Sequence, residues 1–193
     1  MASATSFRTT IGIPPSKANP SDSALIIIDA QNEYASGKLA VTNAQTSRKA
    51  ISDLLSRYRA AGGKIVHVTH QVPDGAPIFT PGTDLAQEFD ELKPREGELT
   101  VVKQFPGSFT KTDLNELLKK EGAKKVVLCG YMAHICVSTT AREASQLGYD
   151  VILAEDAIGD RDIPGATGSE VTKMVMLELG DGFGTVLNSS EIA

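Results

Sequence analysis

Two cysteines in 193 residues are too few to staple a fold, and Cys129 and Cys136 stand only seven positions apart. The chain therefore reads as a reduced, intracellular protein and not as a disulfide framework. Long apolar runs are missing too, since none approaches the ~18 residues that a transmembrane helix needs. The segment Met1–Ser23 is rich in Ser, Thr, Pro and Ala and has no apolar stretch behind a basic start. It is not a conventional signal peptide, and the expected location is the cytoplasm. Positive charge is not in excess: 19 Lys and Arg face 24 Asp and Glu, for a net charge of −5. Basic clusters such as Lys119-Lys120-Glu121 are short and balanced, so neither nucleic acid nor an anionic membrane is an expected partner. No G-x-G-x-x-G follows the first apolar run, no P-loop occurs, and G-x-S-x-G is absent. Dinucleotide binding, P-loop phosphate binding and serine α/β-hydrolase chemistry are thereby disfavoured.

What is present is ordinary for a globular protein: 41% hydrophobic and 22% charged residues, enough to bury one core. Ala24–Asp29 is a continuous apolar run ended by an acid, the pattern of a central strand buried on both faces. Further strands are expected at Lys64–Thr69, Leu99–Val102, Val126–Cys129, Asp150–Ala154 and Thr185–Leu187. Between them lie helical spacings: Ile51, Leu54, Leu55 and Tyr58, stopped by Gly62-Gly63; then Leu114, Leu117 and Leu118, capped by Thr112 or Asp113. A third helix runs from Cys136 to Leu147, and a fourth carries Val171, Met174, Val175 and Leu179 on its buried face. The long Pro- and Gly-rich segment 71–97, with a short helix at Asp84–Leu92, reads as a wall or lid. This alternation predicts a single three-layer α/β/α domain with a mostly parallel, about six-stranded Rossmann-like sheet over 23–193. Residues 1–22 form an N-terminal arm, free or crossing to a partner subunit.

Three polar residues end apolar strands. Asp29 closes the first, Lys103 the third, and Cys136 follows the break at Gly130 after the fourth. Each alone has a plain structural explanation as a turn residue, a solvated strand end or packing. Parallel strands, however, place all three at one edge of the sheet, where open α/β folds bind ligands. An acid, a cation and a thiol meeting there form a nucleophilic constellation, with Cys136 as the expected nucleophile. Lys103 and a helix N-terminus would favour its thiolate. Cys129 alternates into the sheet and reads as a small core hydrophobe. By position, Gln31, Phe79, Gln104, Phe105, Tyr131 and His134 are candidates for the substrate pocket. His70 is a further candidate at a strand end, and Arg161 and Asp162 could reach the same edge. His67 reads as core.

The segments Ile28-Asp29-Ala30-Gln31-Asn32-Glu33-Tyr34, Lys103 with Gly107-Ser108-Phe109, and Gly130-Tyr131-Met132-Ala133-His134-Ile135-Cys136-Val137 resemble, in order and spacing, the three motifs of the isochorismatase-like cysteine hydrolases. The likeness runs from about Ser23 to Ser189. It implies that Asp29, Lys103 and Cys136 are a catalytic triad. It further implies a cis peptide between Tyr131 and Met132, with the N–H groups of Met132 and Cys136 forming an oxyanion hole. Relatives of this kind are commonly dimers or tetramers, so a homo-oligomer acting on a small molecule is expected. The metal-holding Asp-x-His pattern of the family's nicotinamidases is missing from the surroundings of His67, His70 and His134. No metal and no cofactor is expected. Glu33-Tyr34 stands where an Asp-Phe pair is common, a departure expected to leave the chemistry unaltered. Ala133-His134-Ile135 resembles true isochorismatases, which makes isochorismate the leading substrate, cleaved at its vinyl ether with Asp29 as the acid. The alternatives are a small-amide hydrolase working through a Cys136 acyl-enzyme, or a binding protein on the same fold that has lost turnover.

Overall fold

The computed structural model describes residues 4–192. Met1–Ser3 of the expected arm and Ala193 of the expected domain lie outside the described residues. Six strands form one sheet: β1 (Ala24–Ile28), β2 (Lys64–His70), β3 (Leu99–Lys103), β4 (Lys125–Gly130), β5 (Asp150–Ile158) and β6 (Thr185–Leu187). Their spatial order is β3-β2-β1-β4-β5-β6, and every pairing is parallel. The helices are α1 (Phe7–Thr10), α2 (Glu33–Ser36), α3 (Ala44–Ala60), α4 (Leu114–Lys120), α5 (Ser138–Gln146) and α6 (Gly168–Gly182).

The layers follow from the two-residue period of the central strand. Leu25 and Ile27 of β1 point to one face, where they meet Ile51, Leu54, Leu55 and Tyr58 of α3. Ile26 and Ile28 point to the other, against Leu114 and Leu118 of α4, Ala141 of α5, and Val175 and Leu179 of α6. All five β1 side chains are buried, and Leu25, Ile26, Ile27 and Ile28 each contribute about 1.5–3 kcal/mol of transfer free energy. Helix α6 opens on a capping box in which Thr167 and Glu170 satisfy each other's backbone N–H groups. Its buried face holds Val171, Val175, Met176 and Leu179. Met174, expected there, is instead 64% exposed, because it lies a turn's fraction away from that stripe and Met176 fills the place.

Two further expectations need correction. The segment Asp84–Leu92 is not one helix but two 3-10 turns, Asp84–Ala86 and Asp90–Leu92. Between them Glu88 pairs as an antiparallel bridge with Gln31, and the Phe89 N–H donates to Ala30 O. Those backbone groups serve the neighbouring segment after β1 and are lost to a helix. Nor does Cys136 open α5. It sits in a π-helical turn, Ala133–Val137, and the α-helix begins at Ser138. The described part of the arm lies on its own chain: the Phe7 N–H donates to Asp181, and Arg8 and the Ser16 N–H both donate to the Thr185 hydroxyl.

The strand order reverses between β1 and β4, so the ends of these two strands open the crevice that the site needs. Gly130 makes this approach feasible. It faces Ile28 in the ladder with φ +113, and a Cβ there would lie 2.0 Å from the Ile28 carbonyl oxygen. A Gly130→Ala variant is expected to lose about 3 kcal/mol or more of stability, because neither the backbone angle nor the clash can relax without parting β1 from β4. Equilibrium urea unfolding checks this.

Candidate active site

Asp29 is the first residue past β1. Its backbone is left-handed (φ 50), a conformation that Asp tolerates better than most residues. The turn is held by the Asp29 N–H donating to Val68 O at 2.8 Å and by its carbonyl accepting from the Gln31 N–H at 2.7 Å. The side chain is thereby aimed inward and is wholly buried. Lys103 ends β3, and its stem runs back through the core at 1% exposure. Its ammonium lies 2.8 Å from Asp29 Oδ2, 3.3 Å from Cys136 Sγ, 3.1 Å from His70 Nδ1 and 3.1 Å from the Phe105 carbonyl oxygen. Among the described residues, the Asp29 carboxylate has no partner beyond this ammonium.

The three side chains expected to converge therefore do so. Their ionisation departs from expectation. Burial, and after it the Asp29 carboxylate, push the Cys136 thiol up to about 12 against the pull of Lys103. The sulfur rests as a thiol and not as the thiolate expected from the sequence, because desolvation outweighs one ammonium already shared with a carboxylate. Burial likewise raises the Asp29 carboxyl, with Lys103 opposing. Cys129 is fully buried and its thiol is pushed far upward by burial, as suits a core residue.

The Tyr131–Met132 peptide is cis. Around it the neighbouring N–H groups are committed: Tyr131 to Ile28 O, Ala133 to Gly159 O, and His134 to the Asp160 carboxylate. Asp160, which sequence reading passed over, is wholly buried and binds both the His134 backbone N–H (2.9 Å) and its ring Nδ1 (2.6 Å). Its only signal in the chain is its place just past the end of a buried strand.

The expected pocket residues separate into four groups. Gln31 and Phe79 line a cavity of about 640 Å³ together with His70, Glu88 and Val102. Gln31 is nevertheless spent on scaffolding: its amide donates to His70 O and Ala86 O and accepts from the His70 N–H. Phe79 stands edge-on to Tyr34, 5.2 Å between ring centroids. Gln104 and Phe105 are exposed, with the Lys111 ammonium over the Phe105 ring. Tyr131 is core, its hydroxyl 2.7 Å from that of Ser47. His134 is half-buried on the π turn, two residues from Cys136. Arg161 and Asp162 bind their own turn, the guanidinium donating to Asp162 O and the Asp162 carboxylate accepting from the Gly168 N–H. His67 is buried as expected, but between two acids, Glu88 at 3.1 Å and Glu98 at 3.0 Å, which ties the 71–97 segment to β2.

Residues 23–190 match the isochorismatase domain model. The secreted isochorismatase effector Isc1 of Verticillium dahliae is 58% identical over 97% of this chain and 98% of its own length. A crystal structure of an isochorismatase from Pseudomonas putida superposes with a TM-score of 0.95 at 33% identity, covering 99% of this chain and 100% of the other. The maleamate amidohydrolase of Pseudomonas putida is 29% identical over 72% of each chain. The chain belongs to the isochorismatase family and is a hydrolase of that family. The cytoplasmic location expected from composition is overturned by the first of these relatives, a secreted protein similar along almost the whole chain. A reduced-thiol composition says nothing about export when both cysteines are buried, as here.

Burial, then Lys103, depress His70 to about 4 from an ordinary 6.5. His70 is therefore neutral near pH 7, with Nδ1 accepting from the ammonium. Its contribution to stability is complete above about pH 6.5 and is lost as pH falls toward 4, where the unfolded chain takes up a proton more readily. An NMR titration following the His70 ring is expected to show no protonation at pH 6.

Proposed function

We propose that this hydrolase cleaves isochorismate at its vinyl ether, giving pyruvate and 2,3-dihydro-2,3-dihydroxybenzoate. The observation that carries the reading is Asp29: a wholly buried carboxyl, raised by that burial and 2.8 Å from the one ammonium in the site. Such a group can hold a proton and give it up when a nearby cation stabilises the carboxylate that results. Asp29 protonates the methylene carbon of the enolpyruvyl group, and the ether carbon becomes an oxocarbenium ion. Water adds to that carbon as its proton returns to Asp29. The hemiketal then collapses, its hydroxyl proton passing to the departing ring oxygen. Lys103 holds the negative charge that alternates on Asp29. The name of the relative from Verticillium dahliae supports the same substrate.

A second reading has its own support in Cys136 Sγ, 3.3 Å from Lys103 Nζ and beside Asp29, and in relatives named as amide hydrolases. In that route the thiol proton passes to Asp29 and sulfur adds to an amide carbonyl. The Met132 and Cys136 N–H groups stabilise the oxyanion, their neighbours' N–H groups being engaged elsewhere. Asp29 then protonates the leaving amine, and water releases the acyl group from sulfur.

The two readings part on one pair of variants. With pyruvate release as the assay, Asp29→Asn is expected to lower kcat by about 10²–10⁴-fold. Cys136→Ala is expected to keep isochorismate cleavage within about tenfold of wild type, a loss of under 1.4 kcal/mol of transition-state stabilisation. Complete loss in Cys136→Ala, with turnover of maleamate by the wild-type enzyme, favours the covalent route. We further propose that the chain acts after export, in keeping with its secreted relative. The protein is then expected in culture medium and not in washed cell extract when produced by its own host.

A further inference from the structure

Around the Lys103 ammonium stand the Asp29 carboxylate, the Cys136 sulfur, the Phe105 carbonyl and the His70 ring. Asp29, Lys103 and Cys136 are closed off, at 0%, 1% and 5% exposure. Of the ammonium's four neighbours, only His70 also lines the cavity of about 640 Å³. Its ring is half-buried, and it is the point at which that cavity meets the reacting groups.

The proton on this ring is placed by its neighbour. An ammonium has donors and no acceptor, so Nδ1, 3.1 Å from Lys103 Nζ, must present its lone pair. Burial and the same cation keep the ring neutral near pH 7. The one ring proton therefore sits on Nε2. Among the described residues no hydrogen bond engages Nε2, and the atom is not sealed from solvent. The backbone beneath it is fixed, because the His70 N–H donates to Gln31 Oε1 at 2.8 Å and its carbonyl accepts from Gln31 Nε2 at 3.0 Å. Phe79 steadies the ring at a centroid distance of 5.3 Å. The charged groups in the same wall are engaged elsewhere: Glu88 with His67 at 3.1 Å, and Lys93 with Asp90 at 2.6 Å. What remains is a donor held in place with nothing from the protein to accept it.

We propose that His70 is a substrate-binding residue whose Nε2–H, in the cavity wall beside Lys103, donates to a carboxylate oxygen of the substrate. A charged acceptor is selected over a neutral one because the Lys103 ammonium, bonded to the other ring nitrogen, polarises the donor. The substrate class is a small carboxylic acid whose carboxylate stands close to the reacting atom. Isochorismate has this form: its ether carbon bears a carboxylate and lies one bond from the methylene that Asp29 protonates. Asp29 at 2.8 Å and His70 at 3.1 Å flank the same ammonium, so an acid anchored on Nε2 is held next to the proton donor. The identity of the acid rests on the function proposed above; the donor and its tautomer do not.

Two variants separate the ring's two nitrogens. In His70→Asn the amide oxygen can stand where Nδ1 was and accept from Lys103, but no atom replaces Nε2. In His70→Gln an amide N–H reaches the place of Nε2. For isochorismate, His70→Asn is expected to raise KM about tenfold with kcat within about threefold of wild type, and His70→Gln to bring KM back to within about threefold. A role confined to Lys103 gives the reverse, a fall in kcat that Asn rescues and Gln does not. A KM in His70→Asn within twofold of wild type overturns the proposal, as does a Gln variant no better than Asn. A second measurement needs neither variant nor turnover. With nitrogen-labelled histidine, NMR of the wild-type protein is expected to show His70 protonated on Nε2, and the other tautomer overturns the proposal. Pyruvate, used as the probe acid, is expected to shift the Nε2 signal, and acetone, its neutral counterpart, to leave it in place. No shift with pyruvate, or equal shifts with both, overturns the carboxylate contact. Isochorismate left uncleaved while pyruvate moves the signal sinks the substrate reading and leaves His70 standing.

Discussion

One buried ammonium is the constraint on which the rest of this site depends. Lys103 carries its charge through the core to a point where Asp29, Cys136, His70 and a backbone carbonyl all lie within 3.3 Å. A buried ion costs several kcal/mol in lost hydration and is tolerated only when its partners compensate. The same cation therefore dictates what its neighbours are. It permits a carboxylate to be buried at all, it adds to the burial that keeps His70 neutral, and it leaves the thiol beside it short of stabilisation. The site is poised because no single pairing uses the cation up.

The scaffold holds this arrangement through backbone and not through side-chain reach. β1 and β4 come close enough to share the crevice only because Gly130 has no Cβ. The turn at Asp29 is locked by bonds to Val68 and Gln31, and the wall beyond it is tied back by Gln31 and by the His67 pairs with Glu88 and Glu98. These are rigid elements, so Asp29 is positioned by a hydrogen-bonded turn at a strand end and not by a mobile loop.

Much of this was legible in the chain. Ala24–Asp29 announced a central buried strand, and the periodicity of Ile51 to Tyr58 announced α3; both stand. Reading failed where a residue's role is set across the chain. Glu88 leaves the helical pattern of 84–92 to pair with Gln31. Tyr131 looked like a pocket residue beside Met132, but its hydroxyl is claimed by Ser47, far away in sequence. Asp160 was overlooked because nothing local distinguishes a buried acid from a solvated one.

By itself, then, the sequence determined the strand and helix periods, the family, and which three residues meet, since parallel strands carry their carboxyl ends to one rim whatever the details. Only the tertiary structure decided the proton inventory of that rim. Whether sulfur rests as thiol or thiolate, and whether a carboxyl is acid or base, depends on how much water each atom has lost and on which charges lie within a few ångströms. Dehydration and distance are properties of the packed chain, and no local stretch of residues contains them.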